Sequence, residues 1–129
     1  MTAARDILII EDDDILRDLV ADWMAAAGYL VRVAADGEAG LAALREDPPA
    51  LVVTDIHMPG TGGAAIIAEL RRSHPAVPVI AISAYFKCGH GLTSDGALAL
   101  GAACALAKPF SRSDMVGAVA ALVGPPGGG

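Results

Sequence analysis

The sequence is poor in aromatic, cysteine and basic residues, and each shortage narrows the reading. Only 4% of the 129 residues are Phe, Trp or Tyr, so Ala, Val, Leu and Ile must fill the core. The cysteines are Cys88 and Cys104. Two thiols make no disulfide framework and fit a reducing compartment, so a cytoplasmic location is expected. Lys and Arg number 9 against 15 Asp and Glu, a formal net charge of -6. A nucleic-acid surface needs clustered cations, and no basic stripe is present, so direct nucleic-acid binding is not expected. No apolar run is long enough to cross a bilayer, so membrane insertion is not expected. No apolar stretch follows a basic start as in a signal peptide.

What is present is a 54% hydrophobic chain of a length that suits one domain. Ile7-Leu8-Ile9-Ile10 reads as a short buried strand and runs into Glu11-Asp12-Asp13-Asp14. A helix follows, with Ile15, Leu19 and Trp23 on one stripe and Leu16, Val20 and Met24 beside it. Trp23 is expected in the core, and Gly28 is placed as a C-cap. Tyr29 to Ala34 alternates like an edge strand, Asp36 caps a helix with Leu41 and Leu44, and Pro48-Pro49 stops it.

Leu51-Val52-Val53 then climbs to Asp55, and the chain turns at Met58-Pro59-Gly60. Ile66, Ile67 and Leu70 mark a third helix that ends before Pro75. Val77 to Ile82 is an apolar strand ending at Ser83, and the period is lost from Ala84 to Gly91. Thr93 or Ser94 starts a short helix through Leu100, and Ala102 to Ala107 is a weak strand before Lys108-Pro109. Ser111 and Asp114 have the spacing of a capping box for a last helix, with Met115, Val116, Val119, Leu122 and Val123 on its apolar face. The reading is one domain over 1–123 and a Gly/Pro-rich tail over 124–129.

Strands alternating with helices imply an α/β fold: a single doubly wound, five-stranded parallel sheet with helices on both faces. Right-handed crossovers put the strand ends on one edge, where open α/β sheets hold their ligands. That edge gathers Glu11, Asp12 and Asp13, then Asp55, Ser83 and Lys108. Carboxylates at ~4 Å repel by ~4 kcal/mol at an effective dielectric of about 20. A divalent cation between them lets them stay ionised. An all-oxygen ligand set favours Mg²⁺. Lys108 and Ser83 supply donors for phosphoryl oxygens, and Asp55 is the carboxylate free to attack and carry a phosphoryl group.

These residues resemble the receiver domain of two-component response regulators. The resemblance runs from Ile7 to about Val123 and rests on Ile9 to Asp13, Asp55 with Met58-Pro59 and Gly63, Ser83-Ala84, and Lys108-Pro109-Phe110. It implies the flavodoxin-like strand order 2-1-3-4-5 and a cis Lys108-Pro109 bond. Asp55 would be the phosphoacceptor, with Ser83 and Lys108 holding phosphoryl oxygens. Mg²⁺ would be held by Asp12, by Glu11 mostly through water, by Asp55 and by the backbone carbonyl of His57. The donor would be a histidine kinase or a histidine phosphotransfer protein, and the output would be partner binding through the face built from the fourth helix, fifth strand and fifth helix. Such a domain assists its own phosphorylation and dephosphorylation and is not an enzyme acting on a separate substrate. No output domain follows Val123 in this sequence, so any effect on transcription would pass through a partner or a segment outside it.

The chain departs from the family pattern twice. Where receivers often carry Tyr or Phe, three residues before the lysine, it has Ala105, and the loop after Ser83 is long and glycine-rich. The expectation is that the 84–91 loop, with Tyr85 or Phe86 as its bulky member, replaces the missing aromatic. Ala105 also admits a receiver-like binding module that works without phosphorylation. A fragment, Asp12-Asp13-Asp14-Ile15, resembles the Asp-x-Asp-x motif of haloacid-dehalogenase-type phosphatases, with Asp12 as nucleophile and Asp14 as acid–base. Among lesser signals, His57 is read as solvent-facing, Cys88 and His90 as plain loop, and Arg17, Arg71 and Arg72 as solvated helix faces. Asp13 is left between metal ligand and helix-end charge.

Overall fold

A computed structural model describes residues 6–57, 60, 62–83 and 94–125. The expectations placed on Met58 and Pro59, on the 84–91 loop with Tyr85, Phe86, Cys88 and His90, and on Thr93 fall outside these residues. The elements are β1 (Asp6–Ile10), α1 (Asp14–Ala27), β2 (Leu30–Ala34), α2 (Gly37–Glu46), β3 (Leu51–Asp55), α3 (Gly63–Ser73), β4 (Val79–Ser83), α4 (Ser94–Leu100), β5 (Cys104–Ala107) and α5 (Arg112–Val123). All strand pairs are parallel, in the order β2-β1-β3-β4-β5, as the alternation and the resemblance imply. No helix among the described residues is long and apolar enough to cross a membrane.

The sheet's apolar side chains divide by parity. Leu8, Ile10, Val52, Val79 and Ala81 join Leu44, Ile66, Ile67, Leu70 and Ala97 in one cluster, on the side of α2, α3 and α4. Ile7, Ile9, Leu51, Val53, Ile80 and Ile82 join Val20, Met24, Met115 and Val119 in the other, against α1 and α5. Successive strand residues point to opposite faces, so burial on both sides requires continuous apolar runs like these.

Several boundaries differ from the sequence expectation for local reasons. β4 begins at Val79, not Val77, because the Val77 N–H closes a turn on the His74 carbonyl at 3.0 Å and Pro78 has no N–H to give. β5 begins at Cys104 because Gly101 and Ala102 turn their N–H groups back onto Leu98 and Ala97 to end α4. Gly101 permits this with a φ of 118°, a left-handed conformation. The stripe Ile15–Leu19–Trp23 is not the buried one. Ile15 is 82% exposed and Leu19 43%, while Val20 and Met24 are buried. The two stripes lie one residue, about 100°, apart on the helix, and the sheet takes the one that includes Val20 and Met24. Trp23 is half-buried, its ring edge-on to Phe110 at 6.3 Å.

Two of the three arginines read as solvated are built in. Arg71 donates to the carbonyls of Pro75 and Val77, and Arg17 reaches back to the Glu11 carbonyl just past β1; Arg72 stays exposed. Arg32 on β2 clasps Asp6 of β1 and donates to the carbonyls of Ala43 and Asp47, closing the end of α2. Tyr29 Oη donates to the Gly124 carbonyl at 2.9 Å, so ordered contacts run one residue past α5.

Two helical glycines carry opposite expectations. A Cβ on Gly63, at the start of α3, would lie 2.5 Å from the Asp55 carbonyl oxygen and 2.8 Å from the Ile56 Cα, both backbone. A Cβ on Gly117 in α5 meets nothing within 4 Å. Urea unfolding is expected to show Gly63→Ala destabilised by about 1–3 kcal/mol and Gly117→Ala stabilised by about 0.5–1 kcal/mol.

Candidate functional site

Register brings the polar residues together. Ile10 lies opposite Thr54, so Glu11, the next residue, comes level with Asp55. Asp55 lies opposite Ile82, and Ser83 opposite Ala107, which leaves Lys108 immediately beyond. Adjacent strands are about 4.8 Å apart, so the ends of β1, β3, β4 and β5 deliver these residues to one rim. The Lys108 N–H donates to the Ser83 carbonyl at 3.0 Å and ties the last two strands at that level. The Lys108-Pro109 peptide is cis.

Asp55 is 4% exposed, and both carboxylate oxygens are engaged. Oδ1 accepts the His57 N–H at 2.9 Å, and Oδ2 accepts Lys108 Nζ at 2.7 Å. Lys108 Nζ also lies 2.9 Å from Glu11 Oε1. That contact is off the direction a hydrogen bond needs, and Oε1 is buried without a hydrogen-bond partner. It is therefore an ionic contact, and the aligned bond goes to Asp55. Glu11 Oε2 accepts the Asp13 N–H at 3.1 Å. Asp12 is exposed at the mouth.

The charges respond to this crowding. Burial pushes the Glu11 carboxyl up from 4.5 to about 7, helped by Asp12 and the charge of Asp55 and opposed by the Asp13 N–H and Lys108. Burial works to lower the Lys108 ammonium, yet its close contacts with the Asp55 and Glu11 carboxylates outweigh that and hold it above its ordinary value.

Glu11, Asp12 and Asp55 each offer an oxygen, all within 4.8 Å of one another. With the buried, unbonded Glu11 Oε1 and carboxylate oxygens as the donors, the residues fit a hard divalent cation. Asp13 is not part of this set. Its Oδ1 accepts the Ile15 and Leu16 N–H groups at 3.0 and 3.2 Å, so it is the N-cap of α1. His57 is half-buried and its Nε2 is out of solvent, contrary to a solvent-facing reading. Ser83 is fully buried. Beside the rim runs a groove of about 460 Å³ lined by Asp13, Leu16, Leu19, Trp23, Lys108, Pro109 and Phe110. Sequence reasoning missed it, although the surplus apolar stripe on α1 was its signal.

The raised Glu11 carboxyl gives a pH signature in metal-free protein. The folded state binds a proton that the unfolded chain releases above 4.5, so this group's contribution is full below 4.5 and is lost as pH rises through about 7. The stability of wild type relative to Glu11→Gln is therefore expected to fall between these values, by at most about 3 kcal/mol, and to level off above. Urea unfolding in chelator at a series of pH values measures it.

The geometry has clear counterparts. A sequence model described as the response regulator receiver domain matches residues 7–120. The chain is 31% identical over 117 residues to the response regulator protein FleR of Pseudomonas aeruginosa, covering 91% of this chain and 24% of that one. It is 35% identical over 117 residues to the nitrogen assimilation regulatory protein NtrX of Azorhizobium caulinodans, covering 88% and 25%. It thus spans about a quarter of the length of these curated relatives. The crystal structure of the receiver domain of NtrX from Brucella abortus superposes with a TM-score of 0.84 at 32% identity, covering 92% of this chain and 98% of that one. The chain belongs to the response regulator receiver domain family.

Proposed function

We propose that this chain accepts a phosphoryl group on Asp55 from a histidine kinase or a histidine phosphotransfer protein and thereby switches the binding of a downstream protein. The observation that carries this reading is the Asp55 carboxylate itself. It is nearly buried, bonded to an ammonium at 2.7 Å, and level with two further carboxylates at the open rim.

Asp55 supplies the nucleophile. An oxygen of its carboxylate forms the new bond to phosphorus as the P–N bond breaks, and that electron pair leaves with the donor's imidazole, protonated at its other nitrogen. Lys108, now shared between Asp55 and Glu11, turns its ammonium toward the phosphoryl oxygens as charge moves onto them. Ser83, at the end of β4, offers its hydroxyl to another of those oxygens. The His57 N–H holds one Asp55 oxygen and so orients the other. Glu11, Asp12 and Asp55, with the His57 carbonyl, would hold Mg²⁺, which when bound neutralises the carboxylates and the incoming phosphoryl charge. The same groups serve hydrolysis of the acyl phosphate. The groove beside Lys108 and Asp13 gives the donor protein an apolar seat next to the rim. We take 1–123 as the receiver unit and 124–129 as its tail, working in the cytoplasm.

The phosphatase alternative fares worse. Its acid–base would be Asp14, whose Oδ1 is engaged by Arg17 at 2.8 Å on the first turn of α1. A module that works without phosphorylation retains one supporting feature. Ala105 packs against the cluster that holds Ala81, Ala97 and Ala102, and this position itself carries no aromatic ring to swing.

Incubation with Mg²⁺ and acetyl phosphate is expected to add the mass of one phosphoryl group to wild type and none to Asp55→Asn. Lys108→Ala is expected to slow the reaction about 10²- to 10³-fold. An unmodified wild type would favour the phosphorylation-independent module, and a modified Asp55→Asn would move the nucleophile elsewhere.

A further inference from the structure

The loop that carries Asp12 is held by a side chain from the body of α1. Arg17 Nη1 donates to the Glu11 carbonyl at 3.2 Å, and Nη2 to Asp14 Oδ1 at 2.8 Å. The Arg17 side chain is only 15% exposed. The Glu11 carbonyl belongs to the peptide that joins Glu11 to Asp12, and a peptide is a rigid plane. Holding its oxygen restrains that plane and so the Asp12 Cα; with the next peptide held by the Asp13 N–H bond to Glu11 Oε2, the direction in which the Asp12 side chain leaves the backbone is restrained too.

The rest of the loop is pinned around that point. The Glu11 N–H donates to the Ala34 carbonyl at 3.1 Å, and the Asp13 N–H to Glu11 Oε2 at 3.1 Å. Asp13 caps the helix on which Arg17 sits. Asp12 is thus an exposed carboxylate on an immobilised backbone. A guanidinium can serve a carbonyl and a carboxylate at once in a fixed fork, which an ammonium on a flexible stem does less well.

We propose that Arg17 is a positioning residue: it braces the Glu11–Asp12 peptide so that the two carboxylates converge with Asp55 on one cation. This rests on the reading of Asp55 as phosphoacceptor and adds the device that keeps its cation site assembled. Arg17 acts through Glu11 and Asp12 and touches neither the phosphoryl group nor Asp55 in this role.

Charge alone predicts the opposite sign, which makes the proposal testable. Arg17 is a cation beside an acidic loop, so removing it should by Coulomb's law tighten the binding of another cation. Loss of the brace weakens it.

The experiment is calorimetric titration of the unphosphorylated chain with Mg²⁺, alongside the acetyl phosphate rate, for wild type, Arg17→Met, Arg17→Lys and, as a surface-charge control, Arg72→Met. Thermal melts identify any variant that fails to fold. Arg17→Met is expected to bind Mg²⁺ about tenfold or more weakly, the scale of losing a side chain that orients a ligand. Arg17→Lys, which keeps the charge and loses the fork, is expected to fall between it and wild type. Arg72→Met is expected to match wild type.

Unchanged or tighter binding in a folded Arg17→Met overturns the proposal, and so does an Arg17→Lys equal to wild type; the latter decides should Arg17→Met not fold. A wild type that neither binds Mg²⁺ nor takes a phosphoryl group removes the phosphoacceptor reading, and the brace falls with it. A wild type that does both, with Arg17 variants that match it, removes the brace alone.

Discussion

One ammonium between two nearly buried carboxylates governs this structure. Lys108 Nζ stands 2.7 Å from Asp55 and 2.9 Å from Glu11, and both acids are almost out of solvent. Removing charges from water is costly, and a pair recovers that cost only with good geometry and further hydrogen bonds. Asp55 has them, in the His57 N–H and Lys108. Glu11 has them at one oxygen only, and its carboxyl is pushed up to about 7 mainly by burial. The site is thus short of positive charge, and that shortage suits it to a cation.

The fold exists to hold that cluster at an open rim. Four strand ends meet there because the sheet is parallel and β3 lies between β1 and β4. Apolar burial on both faces locks the register, since a slip of one residue would turn each core side chain to the wrong face. Gly63 contributes in a different way. It lets α3 start against the Asp55 and Ile56 backbone, where a side chain would not fit.

Much of this was legible in the sequence, and the legible parts have one character. Continuous apolar runs ending in Glu11, Asp55, Ser83 and Lys108 gave strands, their ends and the shared rim, because burial and topology are written into composition and order. The Ser111–Asp114 capping box and the Asp36 cap were readable for the same reason: they are local. What escaped was set by packing between elements. The choice between two adjacent stripes on α1 depends on where the sheet and Phe110 lie, so the sequence left the buried stripe open and placed Trp23 too deep. The contacts of Arg17, Arg32 and Arg71 with the carbonyls of Glu11, Ala43 and Pro75 were unreadable because backbone acceptors carry no sequence signal. Asp13 was ambiguous because a helix cap and a metal ligand use the same carboxylate, and only the Ile15 and Leu16 N–H groups decide between them.

The central claim is that the nucleophile is the carboxylate at the end of β3. The most direct measurement is to trap the acyl phosphate formed with acetyl phosphate and Mg²⁺ by borohydride reduction, then locate the resulting homoserine by tandem mass spectrometry. The account predicts that it replaces Asp55. Homoserine at Asp12, or at any other acidic residue with Asp55 intact, would contradict it.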